Sequence, residues 1–149
     1  MKNPLNKMRV NEVFLFNRIH TLKLPFFLSI MKAGFPSPAD DYIEAKLDFN
    51  ELLVKHPAAT FCVRVTGDSM QNAGINSGDI LVVDRAVTPT DKKIVVAILN
   101  GEFTVKRLSK LKNGLFLIPE NPNYEPIEVK GEMDFEIWGV VTNVIHNIE

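Results

Sequence analysis

The dipeptide Asn100-Gly101, set between two strand-like runs, restricts this chain more than any other stretch of it. The type I′ hairpin turn, one of the two-residue turns matched to strand twist, needs left-handed backbone at both central positions, and Asn-Gly supplies it at least cost. The flanking runs, Lys-Ile-Val-Val-Ala-Ile-Leu at 93–99 and Glu-Phe-Thr-Val-Lys-Arg-Leu at 102–108, are rich in the β-branched residues that suit a pleated sheet. A two-residue loop faces residue 99 with 102, and counting back puts Lys106 opposite Val95. Lys106 then shares a face with Thr104 and Leu108. Such surroundings desolvate an ammonium and lower its pKa, by up to ~3 to 5 units when burial is complete. The other reading is a lysine that snorkels to water from a strand edge.

Beyond the hairpin the pattern stays β. Residues 60–65 alternate, with Phe61, Val63 and Val65 on one face and Cys62 and Arg64 on the other. The run Ile80 to Asp84 is unbroken and suggests burial on both faces. Leu115 to Ile118, Glu125 to Val129 and Phe135 to Ile145 read as further strands, with 138–141 as core or dimer-interface material. A short helix is expected over 48–57, with Asp48 or Asn50 as cap and Pro57 as stop. Residues 1–33 are apolar without a clean period and are interrupted by Pro4 and Pro25, so they read as an arm that packs on something, or as a short helix and strand of the body itself. With 149 residues and 46% hydrophobic composition, one body plus an arm is expected.

The candidate chemistry lies where the 60–65 strand ends, at Gly67-Asp68-Ser69-Met70. A serine hydroxyl needs a base to become a nucleophile. Lys106, 37 positions downstream, is the leading candidate. A Ser/His/Asp triad built from His56 and one of Asp68, Asp79 or Asp84 is the rival, since triads obey geometry and not sequence order. Against it, His56 adjoins Pro57 and no Gly-x-Ser-x-Gly elbow is present. Ser69 is expected to be held by the sheet yet exposed enough to act. Thirty-five residues before it, Ala33-Gly34 precedes the stiff, extended Phe35-Pro36-Ser37-Pro38. This is either a scissile bond, small enough for a tight cleft, or a linker.

Composition narrows the classes. The formal charge of −1 argues against a dedicated DNA-binding domain, but it is uneven: residues 1–33 carry six Lys/Arg and one acid, or +5, and residues 34–149 carry eleven and seventeen, or −6. The single Cys62 allows no internal disulfide, reads as a small strand residue, and fits a reducing compartment. The three histidines lack ligand spacing, so no metal and no cofactor are expected. No segment reaches the ~18 apolar residues of a membrane helix. Residues 22–31 imitate a signal peptide only superficially, since Lys23, Pro25 and Ser29 break the run.

Four stretches in this order, Ala-Gly-Phe-Pro-Ser-Pro-Ala-Asp-Asp-Tyr at 33–42, Gly-Asp-Ser-Met at 67–70, Asp-Ile-Leu-Val-Val-Asp at 79–84 and Gly-Glu-Phe-Thr-Val-Lys at 101–106, resemble the UmuD/LexA family of self-cleaving serine/lysine peptidases. The UmuD branch is much the closer. The resemblance implies a mostly β chain: a strongly bent antiparallel β-fold of the LexA/signal-peptidase-like type with a flexible N-terminal arm. It implies a catalytic Ser69 and Lys106, with an oxyanion hole from the backbone N–H groups of Asp68 and Ser69. It also implies removal of arm 1–33 from body 34–149 by a cut between Ala33 and Gly34. The implied setting is the cytoplasmic SOS response. A RecA filament on single-stranded DNA stimulates the cut, and the processed homodimer serves a UmuC-type Y-family polymerase in a DNA polymerase V-like complex, without sequence-specific DNA binding. Ala33 stands where some UmuD proteins carry cysteine, and the arm does not match theirs convincingly. The alternatives are a LexA- or phage-type repressor, for which 33 residues are too few for a helix-turn-helix domain, and a signal-peptidase-like enzyme, which would need an anchor or an open groove.

Overall fold

The computed structural model describes residues 9–15, 23–27 and 44–149, and the chain forms two compact units, Met1–Phe16 with His56–Glu149, and Asn17–Lys55. In the smaller unit, β2 (Lys23–Phe27) pairs antiparallel with β3 (Glu44–Asp48). A short helix, α1 (Phe49–Leu53), follows directly. Asp48 caps it by accepting from the Asn50 N–H at 2.9 Å. The helix is shorter than the 48–57 expected, because the backbone turns extended at Val54 before a 3-10 turn, Pro57–Ala59, opens the His56–Glu149 part of the larger unit.

The larger unit is one eight-stranded antiparallel sheet. Its strands are β1 (Arg9–Leu15), β4 (Thr60–Thr66), β5 (Ile80–Asp84), β6 (Ile94–Leu99), β7 (Glu102–Leu111), β8 (Gly114–Ile118), β9 (Ile127–Val129) and β10 (Phe135–Ile145), in the spatial order β1-β4-β5-β10-β6-β7-β8-β9. Part of the expected arm thus runs as an edge strand: β1 pairs with β4 from Arg9↔Thr66 to Leu15↔Phe61. The Asn100-Gly101 turn takes positive φ at both residues, 50° and 82°, as a primed hairpin turn requires. Its register is the one counted from sequence, Leu99↔Glu102 and Val95↔Lys106.

Strand β10 bends the sheet. Its first half pairs with β6 and its second half with β5, and the register slips once in each half, between Ile137 and Gly139 and between Val141 and Asn143. An extra residue in one strand kinks it and increases local twist. Two cores result, which share the middle strands. Phe61, Val63, Val65, Met70, Ile75, Leu81, Val83, Val96 and Val105 form one; Val95, Ala97, Leu99, Leu108, Leu117 and Val140 form the other. Trp138 packs against the first, edge-on to Phe61 and Phe103 at centroid distances of 5.6 and 4.7 Å. The fold is therefore mostly β, antiparallel and bent, as expected.

Candidate active site

Ser69 follows β4 by three residues. Gly67, at φ 103°, turns the chain out of the strand in a conformation that only glycine adopts readily. The turn is tied to the opposite side of its own loop: the Gly67 N–H donates to Ser77 Oγ at 3.2 Å, and the Gly78 N–H to the Val65 carbonyl at 2.7 Å. Met70, fully buried, anchors the other side of Ser69 in the first core. A hollow of about 340 Å³ lies beside the turn, lined by Gly67, Asp68, Gln71, Ile75, Asn76 and Ser77.

Lys106 reaches the same place from the middle of β7. Its Nζ lies 3.1 Å from Ser69 Oγ, 3.0 Å from Thr104 Oγ1 and 3.0 Å from the Val105 carbonyl. Both Lys106 and Ser69 are 0% exposed. The snorkelling alternative is thereby excluded. The expectation of an exposed Ser69 is also corrected, because the enclosure that desolvates the lysine shuts water from the hydroxyl beside it. Burial lowers the Lys106 pKa to about 8. As a neutral amine Nζ keeps two hydrogens and one lone pair. The Val105 carbonyl and Thr104 Oγ1 accept the two hydrogens, which leaves the lone pair for the Ser69 hydroxyl proton. That is the arrangement a general base needs.

His56 does pair with a carboxylate, its Nδ1 lying 2.6 Å from Asp84 Oδ2. The pair is at the wrong end of β4. Asp84 lies opposite Thr60, and the strand runs six steps of about 3.3 Å, roughly 20 Å, before Ser69 is reached three residues beyond Thr66. His146 binds Asp79 in the same manner at 2.6 Å. Cys62 is partly buried with its thiol pKa raised by desolvation, the opposite of what a nucleophile needs. Ala33 and Gly34 lie outside the described residues.

One part of the site carries no sequence signal. The loop between β8 and β9 holds Asp68 at two points: Asn121 Nδ2 donates to the Asp68 carbonyl at 2.9 Å, and the Tyr124 hydroxyl donates to Asp68 Oδ1 at 2.5 Å. The bond to the Asp68 carboxylate, with burial adding, raises the Tyr124 pKa, so the phenol stays a donor.

A buried serine within hydrogen-bond reach of a desolvated lysine, on a bent antiparallel sheet, is the geometry that serine/lysine peptidase chemistry requires. The sequence model described as Peptidase S24-like matches residues 25–142, and the chain belongs to that family. Among its relatives, SamA of Salmonella typhimurium strain LT2 is 49% identical over 122 residues, covering 82% of this chain and 84% of SamA. ImpA of Escherichia coli is 46% identical over 128 residues, covering 82% and 83%. LexA repressor 1 of Geobacter sulfurreducens is 39% identical over 129 residues, which is 86% of this chain but only 63% of the repressor. The chain is a self-cleaving serine endopeptidase, UmuD-like in kind, of SOS mutagenesis. Among the described residues no helix is long and apolar enough to cross a membrane.

Proposed function

We propose that Ser69 is the nucleophile and Lys106 its general base, and that together they cut the chain's own Ala33–Gly34 bond, dividing arm 1–33 from body 34–149. The observation that carries this is the 3.1 Å contact between Lys106 Nζ and Ser69 Oγ, with the other two Nζ partners already supplied. Neutral Nζ takes the hydroxyl proton as Oγ attacks the Ala33 carbonyl carbon. The backbone N–H groups of Asp68 and Ser69 stabilise the oxyanion. The Lys106 ammonium then protonates the Gly34 nitrogen, which leaves as the new amino terminus. Water, deprotonated by Lys106, hydrolyses the Ala33 acyl ester, and Ser69 is restored.

A tethered substrate has a high effective concentration, so control requires the productive pose to be a minor state that an activator favours. In this reading the activator is a RecA filament on single-stranded DNA. The processed cytoplasmic homodimer then serves a UmuC-type Y-family polymerase, as in a DNA polymerase V-like complex, and reads no DNA sequence itself. The test is incubation with an activated RecA filament followed by intact mass measurement. The expected products are residues 1–33 and 34–149, with no cutting in Ser69→Ala. A product that starts anywhere but Gly34 overturns the assignment.

A further inference from the structure

A dyad divided between two distant strands needs something to hold its halves in register. In the sheet order, β5, β10 and β6 separate β4, which leads to Ser69, from β7, which carries Lys106. The contact between them is therefore not a product of strand pairing. The loop after β8 spans the gap. Glu120 pairs with Arg107, the residue after Lys106, and the Glu120 carbonyl accepts from the Asn72 N–H, three residues after Ser69, at 2.8 Å. Asn121 and Tyr124 then grip Asp68, the residue before Ser69, by its carbonyl and its carboxylate. Asn121 is fixed in turn, its Oδ1 accepting from the Asn123 N–H at 2.9 Å and its carbonyl from the Tyr124 N–H at 3.1 Å. Both gripping side chains are nearly closed to solvent, at 8% and 5% exposed.

We infer that the 120–124 loop is a strap across the dyad, and that Asn121 and Tyr124 are positioning residues which act through Asp68 to aim the Ser69 hydroxyl at Lys106 and the adjoining N–H groups at the oxyanion. The inference rests on the dyad reading above. Neither side chain exchanges a proton with the substrate. Tyr124 donates to the Asp68 side-chain carboxylate and Asn121 to the Asp68 carbonyl, so the residue before Ser69 is held both by its side chain and by the oxygen of the Asp68–Ser69 peptide. The two bonds together restrain the rotation of the Asp68–Ser69 peptide that a single bond leaves free.

The test uses the full chain, with first-order self-cleavage followed across pH without an activator, and with a RecA filament at neutral pH. Tyr124→Phe and Asn121→Asp each delete one donor and keep the shape. Misplacement of a reacting group by about 1 Å can cost on the order of 100-fold, so each variant is expected to lower the plateau rate by about 10- to 100-fold. In Tyr124→Phe, which changes no charge, the pH midpoint that belongs to Lys106 should stay where it is, as should the filament concentration for half-maximal rate in either variant. Asp68→Ala removes the Tyr124 bond from the other side and should fall by the same factor, with Tyr124→Phe adding nothing in that background. Plateau rates equal to wild type in both donor variants overturn the strap. So does a midpoint moved in Tyr124→Phe, which would make Tyr124 a proton-transfer group. Cutting by Ser69→Ala in the same assay would instead overturn the dyad reading itself.

Discussion

Lys106 enters the folded state with its pKa lowered by burial from 10.5 to about 8, so at pH 7 the fold holds a mostly protonated ammonium in surroundings that disfavour it. Between about pH 8 and 10.5 the unfolded chain binds this proton and the folded chain does not, hence stability rises with pH across that window. Below about pH 8 the full cost is present, on the order of 3 kcal/mol for a shift of this size. Lys106→Met should accordingly lose all cleavage and yet be more stable than wild type at pH 7, by up to that amount less the loss of a donor to Thr104 and Val105. The difference should close by pH 10.5. Urea denaturation of both proteins at pH 7 and pH 10 measures it, and a Met variant less stable at pH 7 would contradict the desolvation account. In the proposed dyad the same pKa sets the rate. Because only the neutral amine is a base, self-cleavage should increase about tenfold per pH unit below 8 and level off above it. Lys106→Arg should show neither rise nor plateau, since a guanidinium stays protonated.

At the scale of elements, what the sequence disclosed was local. The Asn100-Gly101 turn fixes its register within a few residues, and the Val95↔Lys106 pairing follows by counting. The alternation in β4 and the unbroken run of β5 likewise depend on neighbours. The strap was not legible, because Asn121 and Tyr124 lie 53 and 56 positions from the residue they hold and no spacing rule links them. Nor was the bend in β10, whose slips depend on strands met on either side. Gly139 flanks one of the two slips, and a Cβ there would lie 2.7 Å from Val83 Cγ1 and 3.3 Å from the Asp84 carbonyl oxygen. Val83 is fully buried and has no room to swing away. Gly139→Ala should therefore destabilise the protein by about 1–3 kcal/mol, as overpacking does. Its denaturant midpoint should fall while the cleavage rate of the folded fraction stays near wild type. An unchanged midpoint would show that the two strands can part at no cost.

At the scale of the whole molecule, the proposed cut changes which backbone groups are covered. β1 is the outer neighbour of β4 and belongs to the segment that leaves with residues 1–33. While the chain is intact, the pairing is intramolecular and the tether keeps its effective concentration high. After the cut it must survive as a bimolecular contact, for which β1 is poorly equipped. Val13 and Phe14 are each 44% exposed and Leu15 85%, and the ion pair Glu12–Arg64, at 3.1 Å, is itself exposed. Release of the arm should thus open the β4 edge, a row of unpaired N–H and C=O groups that can accept a strand from another chain. In an antiparallel sheet successive N–H groups face alternate neighbours, so only half of the β4 amides depend on β1. Hydrogen exchange before and after complete self-cleavage resolves the two sets. Within 60–66, every second amide should lose protection on cutting while the set bonded to β5 keeps it, and a strand-donating partner should restore the loss. Equal protection before and after, with the arm removed by gel filtration, would mean that the edge is covered by something other than β1.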